Sequence, residues 1–561
     1  MTTLERTFNI SRACVCIVVL AMASICLGGD GSGVSPRRKK LIATGWDMPD
    51  TKRLRENLAE IESSPFDGVV LEVLGQRNNS SRSECKLRWA FLDEKWDRKW
   101  FQPAIDDLRA CKFKKFTDNF IIFNANPGSV DWFDDAGWAN IVDHWRIAAW
   151  VAKQSGVKGI LFDPEPYLRE YKQFSYSMQP QRNKHTYAEY RRQARRRGRE
   201  VMKAITSEYK DITVFCYFLN SIQQWALSQA RPSGVLEKSG YGLFPAFVDG
   251  WLDAAPAGVT LVDGCESAYR YNSDREYLRQ AVFIKGEAQR LVSPTNLAKY
   301  RAQVQVSYGM YLDAYTNPKG SPWRIDGLGG PRVKRLQANL STAMRCADEY
   351  VWVYGEKFRW WATPDKRVNA KSWPEALPGC EGVLRYVRNP TAYGRSRLAK
   401  INKQDNIALN GDFSSKTAFN TPSGWSVWQD KKSKGAFALD GDVGRNAAGS
   451  ARNSGTREGC FLQKHRAKRG DRYVVRAFCR IRGKGDIQMR IRWQTADDKW
   501  TATQHDKILQ PAGADDKWSE LLAVAEVPDG AEQLIIILLT KNQQTDKDTV
   551  WFDDVELYKL D

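Results

Sequence analysis

Histidine is scarce in this chain of 561 residues, which contains only His144, His185, His465 and His505. No two of them have the spacing of a metal-binding pair, so neither a histidine-based metalloenzyme nor a Ser–His–Asp hydrolase is favoured. The eleven cysteines include no CxxC pair. This lack argues against a zinc ribbon or a thioredoxin-like redox motif.

A hydrophobic run long enough to span a membrane is also lacking, since a spanning helix needs roughly 20 apolar residues. The apolar run from Ala13 to Leu27 is shorter, follows Arg6 and Arg12, and precedes small residues. This is the pattern of a secretory signal peptide. We therefore expect residues 1–29 to be removed on export. The mature protein is expected to be secreted or periplasmic, without stable membrane insertion.

Acidic residues are in deficit, with 66 Asp and Glu against 85 Lys and Arg, which gives a formal net charge of +19. Residues 403–561 are nearly balanced, with 25 basic and 23 acidic side chains. The positive charge therefore belongs to the first 402 residues, where it would attract an anionic partner. Nucleic acid is not expected as that partner, because the chain has no nucleic-acid-binding motif.

Short apolar strands alternate with helical stretches through residues 38–388. The predicted strands are Leu41–Asp47, Gly68–Leu74, Asn119–Asn124, Gly159–Glu165, Ile212–Leu219, Val259–Asp263, Val304–Met310 and Tyr350–Gly355. The clearest helical stretches between them are Lys52–Ser63, Trp100–Ala110, Trp138–Gln154, Tyr187–Glu208, Asp274–Lys285 and Val333–Ala347. Eight β/α units in this order predict an α/β fold, a (β/α)8 TIM barrel. A doubly wound sheet would need a Gly-rich phosphate loop after its first strand, and none is present.

The pattern changes after a linker predicted at residues 389–405. Short alternating strands follow at Arg472–Arg480, Ile487–Gln494, Trp518–Val527, Gln533–Leu539 and Val550–Leu557. This spacing predicts an all-β sandwich over residues 406–561.

The candidate catalytic residues lie at the carboxyl ends of the barrel strands, where such barrels place their active sites. On strand Gly159–Glu165 the alternation of side chains points Asp163 and Glu165 into the barrel mouth. Two crowded carboxylates repel each other, so one of them keeps a proton near neutral pH. Glu266 and Glu356, each just beyond a later strand, are the next candidates. Substrate contacts are expected from Trp46, Asp47, Glu72, Asn124, Tyr167, Tyr217, Asp263, Tyr308 and Trp360.

The segment Gly159-Ile-Leu-Phe-Asp-Pro-Glu-Pro-Tyr167 resembles the strand-4 motif of chitinase-like retaining glycoside hydrolases, Asp-x-Asp-x-Glu. Leu161 replaces the first Asp of that motif. The resemblance implies that Glu165 is the acid and that Asp163 positions an N-acetyl group of the substrate. The chain is also similar to barrel hydrolases with a strand-4 nucleophile and a strand-6 acid. That similarity implies Asp163 or Glu165 together with Asp263 or Glu266.

The C-terminal segments Leu409–Phe413 and Val550–Leu557 resemble the opening and closing strands of jelly-roll carbohydrate-binding modules. Many such modules hold a structural calcium between these ends, which implies Asp412 and Asp554 as ligands. Aromatic faces stack on sugars, so Trp425, Trp428, Trp493 and Trp500 are candidates for glycan contact. The alternatives are that they pack in the sandwich core and that the module is purely structural.

Together these features predict a secreted glycoside hydrolase that cleaves a poly- or oligosaccharide by carboxylate catalysis with retention. The substrate can be anionic, and catalysis needs no cofactor. Two alternatives stay open. One is a glycan-binding protein without turnover. The other is a polysaccharide lyase, for which Tyr217 or Tyr308 would be the base.

Overall fold

The computed structural model describes residues 38–77, 85–128, 130–167, 172–513 and 516–560. The predicted signal peptide lies outside them. The chain divides into two compact units, Met1–Arg388 and Asn389–Asp561. Within the described residues, no helix is both long and apolar enough to cross a bilayer.

The first unit is a barrel of parallel strands surrounded by helices, as the sequence predicts. Its strands are β1 (Lys40–Gly45), β2 (Gly68–Leu71), β3 (Leu74–Gly75), β4 (Cys85–Lys86), β5 (Trp89–Phe91), β6 (Phe120–Pro127), β7 (Gly159–Asp163), β8 (Thr213–Cys216), β9 (Thr260–Asp263), β10 (Val304–Val306), β11 (Tyr308–Tyr311) and β12 (Tyr350–Gly355).

The helices of this unit cover the outside of the strands. They are α1 (Thr51–Glu56), α2 (Leu58–Ser63), α3 (Gln102–Ala110), α4 (Asp135–Ser155), α5 (Tyr187–Glu208), α6 (Gln224–Leu227), α7 (Pro232–Lys238), α8 (Phe244–Ala254), α9 (Asp274–Lys285), α10 (Leu297–Gln303), α11 (Arg332–Cys346), α12 (Trp373–Ala376) and α13 (Cys380–Arg388). The helix predicted at Lys52–Ser63 is interrupted at Asn57, which caps both α1 and α2.

The seventh strand of the barrel is split at Ser307, and this break decides how the barrel closes. Its first half, β10, pairs with β9, and its second half, β11, pairs with β12. The remaining neighbours follow the order β9-β8-β7-β6-β2-β1-β12. The parallel barrel is therefore nearly closed, with the two halves of one strand bridging its last gap.

The barrel interior is filled by stacked layers of aromatic side chains. Near the amino ends of the strands, Phe120, Phe215 and Tyr350 meet at ring-centroid distances of 5.5–5.7 Å. Above them Tyr217 stacks on Trp352 at 4.4 Å. These bulky rings leave no channel through the barrel, so its free space lies at the carboxyl ends of the strands.

Two glycines set the distance between α5 and α8. A Cβ atom on Gly198 would lie 2.0 Å from the Phe247 carbonyl oxygen, and one on Gly250 would lie 2.1 Å from the Arg195 carbonyl oxygen. Only glycine permits backbones to approach this closely.

The second unit is a β-sandwich of two five-stranded antiparallel sheets. Its strands are β13 (Ser426–Gln429), β14 (Ala436–Asp440), β15 (Ser450–Ser454), β16 (Glu458–Arg466), β17 (Arg472–Arg482), β18 (Asp486–Gln494), β19 (Lys507–Leu509), β20 (Ser519–Glu526), β21 (Gln533–Lys541) and β22 (Thr549–Lys559). The sheet orders are β13-β16-β21-β18-β19 and β14-β15-β22-β17-β20. Apolar side chains of both sheets, among them Phe461, Trp493 and Phe552, form the core between them.

Part of the segment predicted as a linker is a helix in the structure. Helix α14 (Pro390–Leu398) begins at Asn389, whose side chain accepts a hydrogen bond from the Ala392 N–H. Gly394 lets the helix approach the sandwich, since a Cβ atom there would lie 2.4 Å from a Val524 methyl carbon. The segment is therefore packed on β20 instead of running free, which its polar composition did not indicate.

Candidate functional site

A cleft of about 1160 Å³ opens at the carboxyl ends of the barrel strands. All the predicted catalytic carboxylates line it, namely Asp163, Glu165, Glu266 and Glu356. Of the predicted substrate contacts, Trp46, Glu72, Tyr167 and Tyr217 line it as well. The barrel thus brings together residues that are up to 310 positions apart in the chain.

Asp163 is the last residue of β7 and is 2% exposed. Its carboxylate accepts hydrogen bonds from the Glu165 N–H at 2.9 Å and from the Tyr167 hydroxyl at 2.6 Å. Burial and, after it, the charge of Glu165 raise the pKa of Asp163 to about 7, against the opposing effect of these two donors. The group is therefore poised between its charged and neutral forms at neutral pH.

Glu165 follows β7 in a loop that Asn126 holds in place. The Asn126 amide donates to the Glu165 carbonyl oxygen at 3.1 Å and accepts from the Tyr167 N–H at 3.1 Å. Burial and the charge of Glu356 raise the pKa of the half-buried Glu165, while Tyr167 lowers it. Glu165 thus has a backbone that Asn126 holds in place and a carboxylate whose charged form the nearby Glu356 disfavours.

Glu266 begins the short 3-10 helix Glu266–Arg270 that follows β9. Cys265 before it has φ +44°, a left-handed turn that redirects the chain over the cleft. No described residue donates a hydrogen bond to the Glu266 carboxylate. Burial raises the pKa of Glu266 well above its ordinary value, and the charges of Glu165, Asp163 and Glu356 raise it further. Both effects favour the protonated form of Glu266.

Glu356 follows β12 and is tied to the preceding strand. Its carboxylate accepts a hydrogen bond from the Tyr311 hydroxyl at 2.9 Å. Its backbone N–H donates to buried Asp313 at 2.8 Å. Burial raises the pKa of Asp313 to about 6. Glu356 is thus held at the cleft by both its backbone and its side chain.

Arg88 brings a positive charge to the floor of the cleft, and sequence reasoning missed it. It forms an ion pair with Glu72 at 2.5 Å. Asn124, predicted to contact substrate, instead holds Arg88, because its amide can donate to the Arg88 carbonyl oxygen at 2.6 Å. Tyr217 lies on the same floor and shares a hydrogen bond of 2.8 Å with Thr44.

Asp47 and Trp360 do not line the cleft, although both were predicted to contact substrate. The buried Asp47 carboxylate accepts a hydrogen bond from the Trp360 N–H at 2.7 Å, and burial raises the pKa of Asp47 to about 7. The Trp360 ring packs edge-on against Phe66 at 5.1 Å in the core. These two residues fasten the loop after β12 to the end of β1.

Asp263 and Tyr308 also lie outside the cleft lining. Asp263 is fully buried and accepts hydrogen bonds from the N–H groups of Leu219, Ser221 and Cys265, and from the Ser221 hydroxyl. It joins the loops that follow β8 and β9. Tyr308 faces the helices, where its hydroxyl donates to the Tyr277 carbonyl oxygen at 2.7 Å. Tyr311, three residues later, takes the position at the cleft.

Aromatic side chains form one wall of the cleft, and the predicted contacts did not include them. Tyr269 stacks on Tyr311 at 5.0 Å and on Tyr354 at 6.0 Å. Trp323 meets Tyr269 and Tyr311 edge-on at 6.3 and 6.0 Å. The signal for Tyr354 was its place near the end of a strand, whereas Trp323 lies in a loop without any such signal. Of the predicted aromatic contacts, Trp46 has one face covered by the Arg367 guanidinium at 4.5 Å.

In the sandwich, the predicted glycan contacts divide by exposure. Trp425 and Trp493 belong to the core, whereas Trp428 and Trp500 are 49% and 48% exposed. The Asp554 carboxylate accepts hydrogen bonds from Arg445 at 2.6 Å and Asn446 at 2.7 Å. Among the described residues, no group of three or more His, Cys, Asp or Glu side chains is arranged to hold a metal. A calcium site at Asp412 and Asp554 therefore stays a prediction.

No protein-family model matches the chain, and no curated protein matches it. Among solved structures, the enzymatically active domain of bacteriophage CBA120 tailspike protein 4 has 15% identity and a TM-score of 0.24. That match covers 28% of this chain and 22% of the other. A structure described as "CBM4 structure and function" has 19% identity and a TM-score of 0.21, and covers 27% of this chain and 98% of the other. The arabinose-bound MgGH51 α-L-arabinofuranosidase has 16% identity and a TM-score of 0.21, and covers 28% of this chain and 26% of the other. These TM-scores are too low to assign a fold or a function.

Proposed function

We propose that the protein is a secreted glycoside hydrolase that cleaves a poly- or oligosaccharide with retention, using Glu266 as general acid and Glu165 as nucleophile. The observation that carries the proposal is the unequal environment of the carboxyl groups in one cleft. Asp163 accepts two hydrogen bonds, whereas no described residue donates to the Glu266 carboxylate. Glycosidic cleavage needs this division between a protonated and an ionised carboxyl group.

Which carboxyl group of the cleft carries the proton follows from the mutual repulsion of their charged forms. Hydrogen bonds from the Glu165 N–H and the Tyr167 hydroxyl stabilise the charged form of Asp163. That charge, together with those of Glu165 and Glu356, makes ionisation of Glu266 unfavourable. The proton shared by the cluster therefore resides on Glu266.

The chemistry then has two steps. Glu266 donates its proton to the glycosidic oxygen as the bond to the anomeric carbon breaks, and the Glu165 carboxylate attacks that carbon to form a glycosyl-enzyme. Glu266, now ionised, takes a proton from water, which hydrolyses the glycosyl-enzyme and restores both carboxyl groups. The aromatic wall of Tyr269, Tyr311 and Tyr354 contacts the sugar rings.

Asp163 acts in this scheme as a positioning residue, and its contacts separate the scheme from the chitinase-like one. One of its oxygens binds the Glu165 N–H and the other binds Tyr167. Because both oxygens already accept hydrogen bonds within the protein, an N-acetyl group of the substrate would share Asp163 with these two donors. This favours a protein nucleophile over a nucleophile supplied by the substrate.

The proposal is tested by screening neutral, amino, uronate and sulfated glycans for release of reducing ends, with the wild type and the variants Glu165→Ala and Glu266→Ala. Glu276→Gln is the matched control, because Glu276 lines the same cleft but binds the Asn272 N–H and the Ser273 hydroxyl. We expect loss of activity by a factor of about 10² or more in both alanine variants, and little change in the control.

Two further readouts assign the roles. A dinitrophenyl glycoside of the identified sugar has a leaving group that needs no proton, so Glu266→Ala should still release dinitrophenol in a burst while Glu165→Ala should not. Azide should restore turnover in both variants, with retained configuration for Glu266→Ala and inverted configuration for Glu165→Ala. Full activity of either alanine variant would contradict the assignment. An unsaturated product that absorbs ultraviolet light would indicate a lyase, and saturable binding without product would indicate a glycan-binding protein.

A further inference from the structure

Arg270 and Trp323 form a stacked pair at the rim of the cleft. Arg270 is the last residue of the 3-10 helix that begins with Glu266. Its guanidinium lies 4.1 Å from the centre of the Trp323 ring, and both side chains line the cleft. Arg270 is exposed, and Trp323 is 39% exposed. The pair therefore faces the space that a substrate would occupy.

Among the described residues, Arg270 differs from the other arginines of the cleft in having no polar partner. It makes no hydrogen bond or ion pair with any residue that the structure describes. In contrast, Arg88 pairs with Glu72, Arg367 pairs with Asp365, and Arg53 donates to backbone carbonyl oxygens. In the part of the chain that the structure describes, no side chain competes with a ligand for the N–H donors of Arg270.

The aromatic wall fixes the direction in which Arg270 points. Trp323 is held edge-on by Tyr269 and Tyr311, so its face offers the guanidinium a rigid surface. A guanidinium held over an indole ring by a cation–π contact still has N–H groups that can donate hydrogen bonds. Such a fork matches the two oxygens of a carboxylate or a sulfate, and little side-chain entropy is lost on binding when it is already ordered.

We propose that Arg270, seated on Trp323, binds an anionic substituent of the substrate, a uronate carboxylate or a sulfate ester, on a sugar unit near the bond that Glu266 protonates. This inference rests on the proposed function. Arg270 comes four positions after Glu266 in the 3-10 helix, which is about 8 Å along the helix axis. The substrate is therefore an anionic glycan, and the positive net charge of the chain, +19, attracts it to the protein.

Repulsion by the cleft carboxylates does not exclude such a substrate. Burial and the neighbouring carboxylates favour the neutral form of Glu266, the carboxyl group on the same short helix, because they raise its pKa. The charge of Glu72 is offset by Arg88. The local field around Arg270 is thus less negative than the number of acidic residues suggests.

The test is a binding measurement on the full chain carrying Glu165→Gln, which silences turnover without altering the helix of Arg270. Isothermal titration calorimetry would use polygalacturonate, alginate and hyaluronan beside their carboxyl-reduced forms, and chondroitin sulfate, heparan sulfate and carrageenan beside their desulfated forms. Arg270→Ala, Arg270→Lys and Trp323→Ala are compared with Arg275→Ala, an exposed arginine on α9 outside the cleft lining.

We expect Arg270→Ala to weaken binding of the anionic glycan about tenfold or more, because a charge-assisted hydrogen bond is lost. Arg270→Lys should recover part of this loss and Trp323→Ala should show part of it, while Arg275→Ala should have none. Loss of the effect in the carboxyl-reduced glycan identifies a uronate, and loss in the desulfated glycan identifies a sulfate ester. Equal affinity of Arg270→Ala and its parent for every anionic glycan would overturn the inference, as would an equal loss for the neutral forms.

The release screen separates this inference from the proposed function. Hydrolysis of a neutral glycan at a rate that Arg270→Ala leaves unchanged would refute the anionic subsite and leave the hydrolase in place. Arg270-dependent binding of an anionic glycan that the wild type never cleaves would refute the hydrolase and support the anion site.

Discussion

Replacing Tyr167 by phenylalanine removes one hydroxyl group from the acidic cluster and keeps the ring. The Tyr167 hydroxyl donates a hydrogen bond of 2.6 Å to Asp163, whose carboxylate is 2% exposed. A donor to a carboxylate stabilises its charged form and so lowers its pKa. Removing this donor should therefore raise the pKa of Asp163 above about 7.

The size of the effect follows from the strength of one hydrogen bond to a charged group, about 1.5–3 kcal/mol. At 1.36 kcal/mol for each pKa unit, this corresponds to a rise of about 1–2 units. The Tyr167 side chain is exposed, so water can replace part of the lost bond. We therefore expect the lower end of this range, about 1 unit.

The assay is the pH dependence of kcat/KM for the wild type and Tyr167→Phe on a glycan identified by the release screen. Asp163 must be ionised to keep the proton on Glu266, so the limb on which activity rises with pH should move to higher pH by about 1 unit. Because Asp163, Glu165 and Glu266 interact, that limb reports the cluster and not one residue.

Tyr187→Phe is the matched control, because its hydroxyl donates to the Gly242 carbonyl oxygen and Tyr187 is not among the residues that line the cleft. Its profile should superimpose on that of the wild type. Coincident acid limbs for Tyr167→Phe and the wild type, or a shift to lower pH, would refute the role assigned to Tyr167 and Asp163.

Two further predictions concern stability. The pKa of Asp47 is raised from its ordinary value of 3.8 to about 7, so the folded state binds more protons between these pH values and Asp47 makes stability fall as pH rises through them. The loss of unfolding free energy between pH 5 and pH 8, measured with urea, should be about 2–3 kcal/mol larger in the wild type than in Asp47→Asn, and an equal loss in both proteins would contradict the shift. Asp263→Asn should lower the free energy of unfolding by about 3 kcal/mol, because the buried carboxylate accepts hydrogen bonds from two loops; an unchanged urea midpoint would show that these bonds contribute little.

The fold could be predicted because the barrel strands carry their own local signal. Each strand is a short apolar run bounded by polar or Gly/Pro residues, and parallel strands buried on both faces keep this pattern. The same local rule placed Asp163 and Glu165 at the mouth, since alternation along β7 fixes the face of each side chain. Both residues line the cleft.

Alternation gives no guide where a strand is interrupted. The break at Ser307 separates β10 from β11, so counting along one continuous strand does not give the face of Tyr308, which lies toward the helices. Tyr311 reaches the cleft in its place. The place of Trp323 at the cleft could not be predicted for a different reason. Its position depends on contacts with Tyr269 and Tyr311 and not on its neighbours in sequence.

Glu266 and Asp263 show why the chemical roles could not be derived from sequence. Both are carboxylates at the end of β9, only three residues apart, and a strand-6 acid could equally be either. Asp263 accepts hydrogen bonds from Leu219 and Ser221, in the loop after the preceding strand, whereas Glu266 accepts none from the described residues. The donors that make one carboxylate structural thus come from another part of the chain, about 44 positions away. A carboxyl group that is half-buried among other carboxylates and receives no hydrogen bond from the described residues is the one left to carry a proton, and this is why we propose Glu266 as the acid.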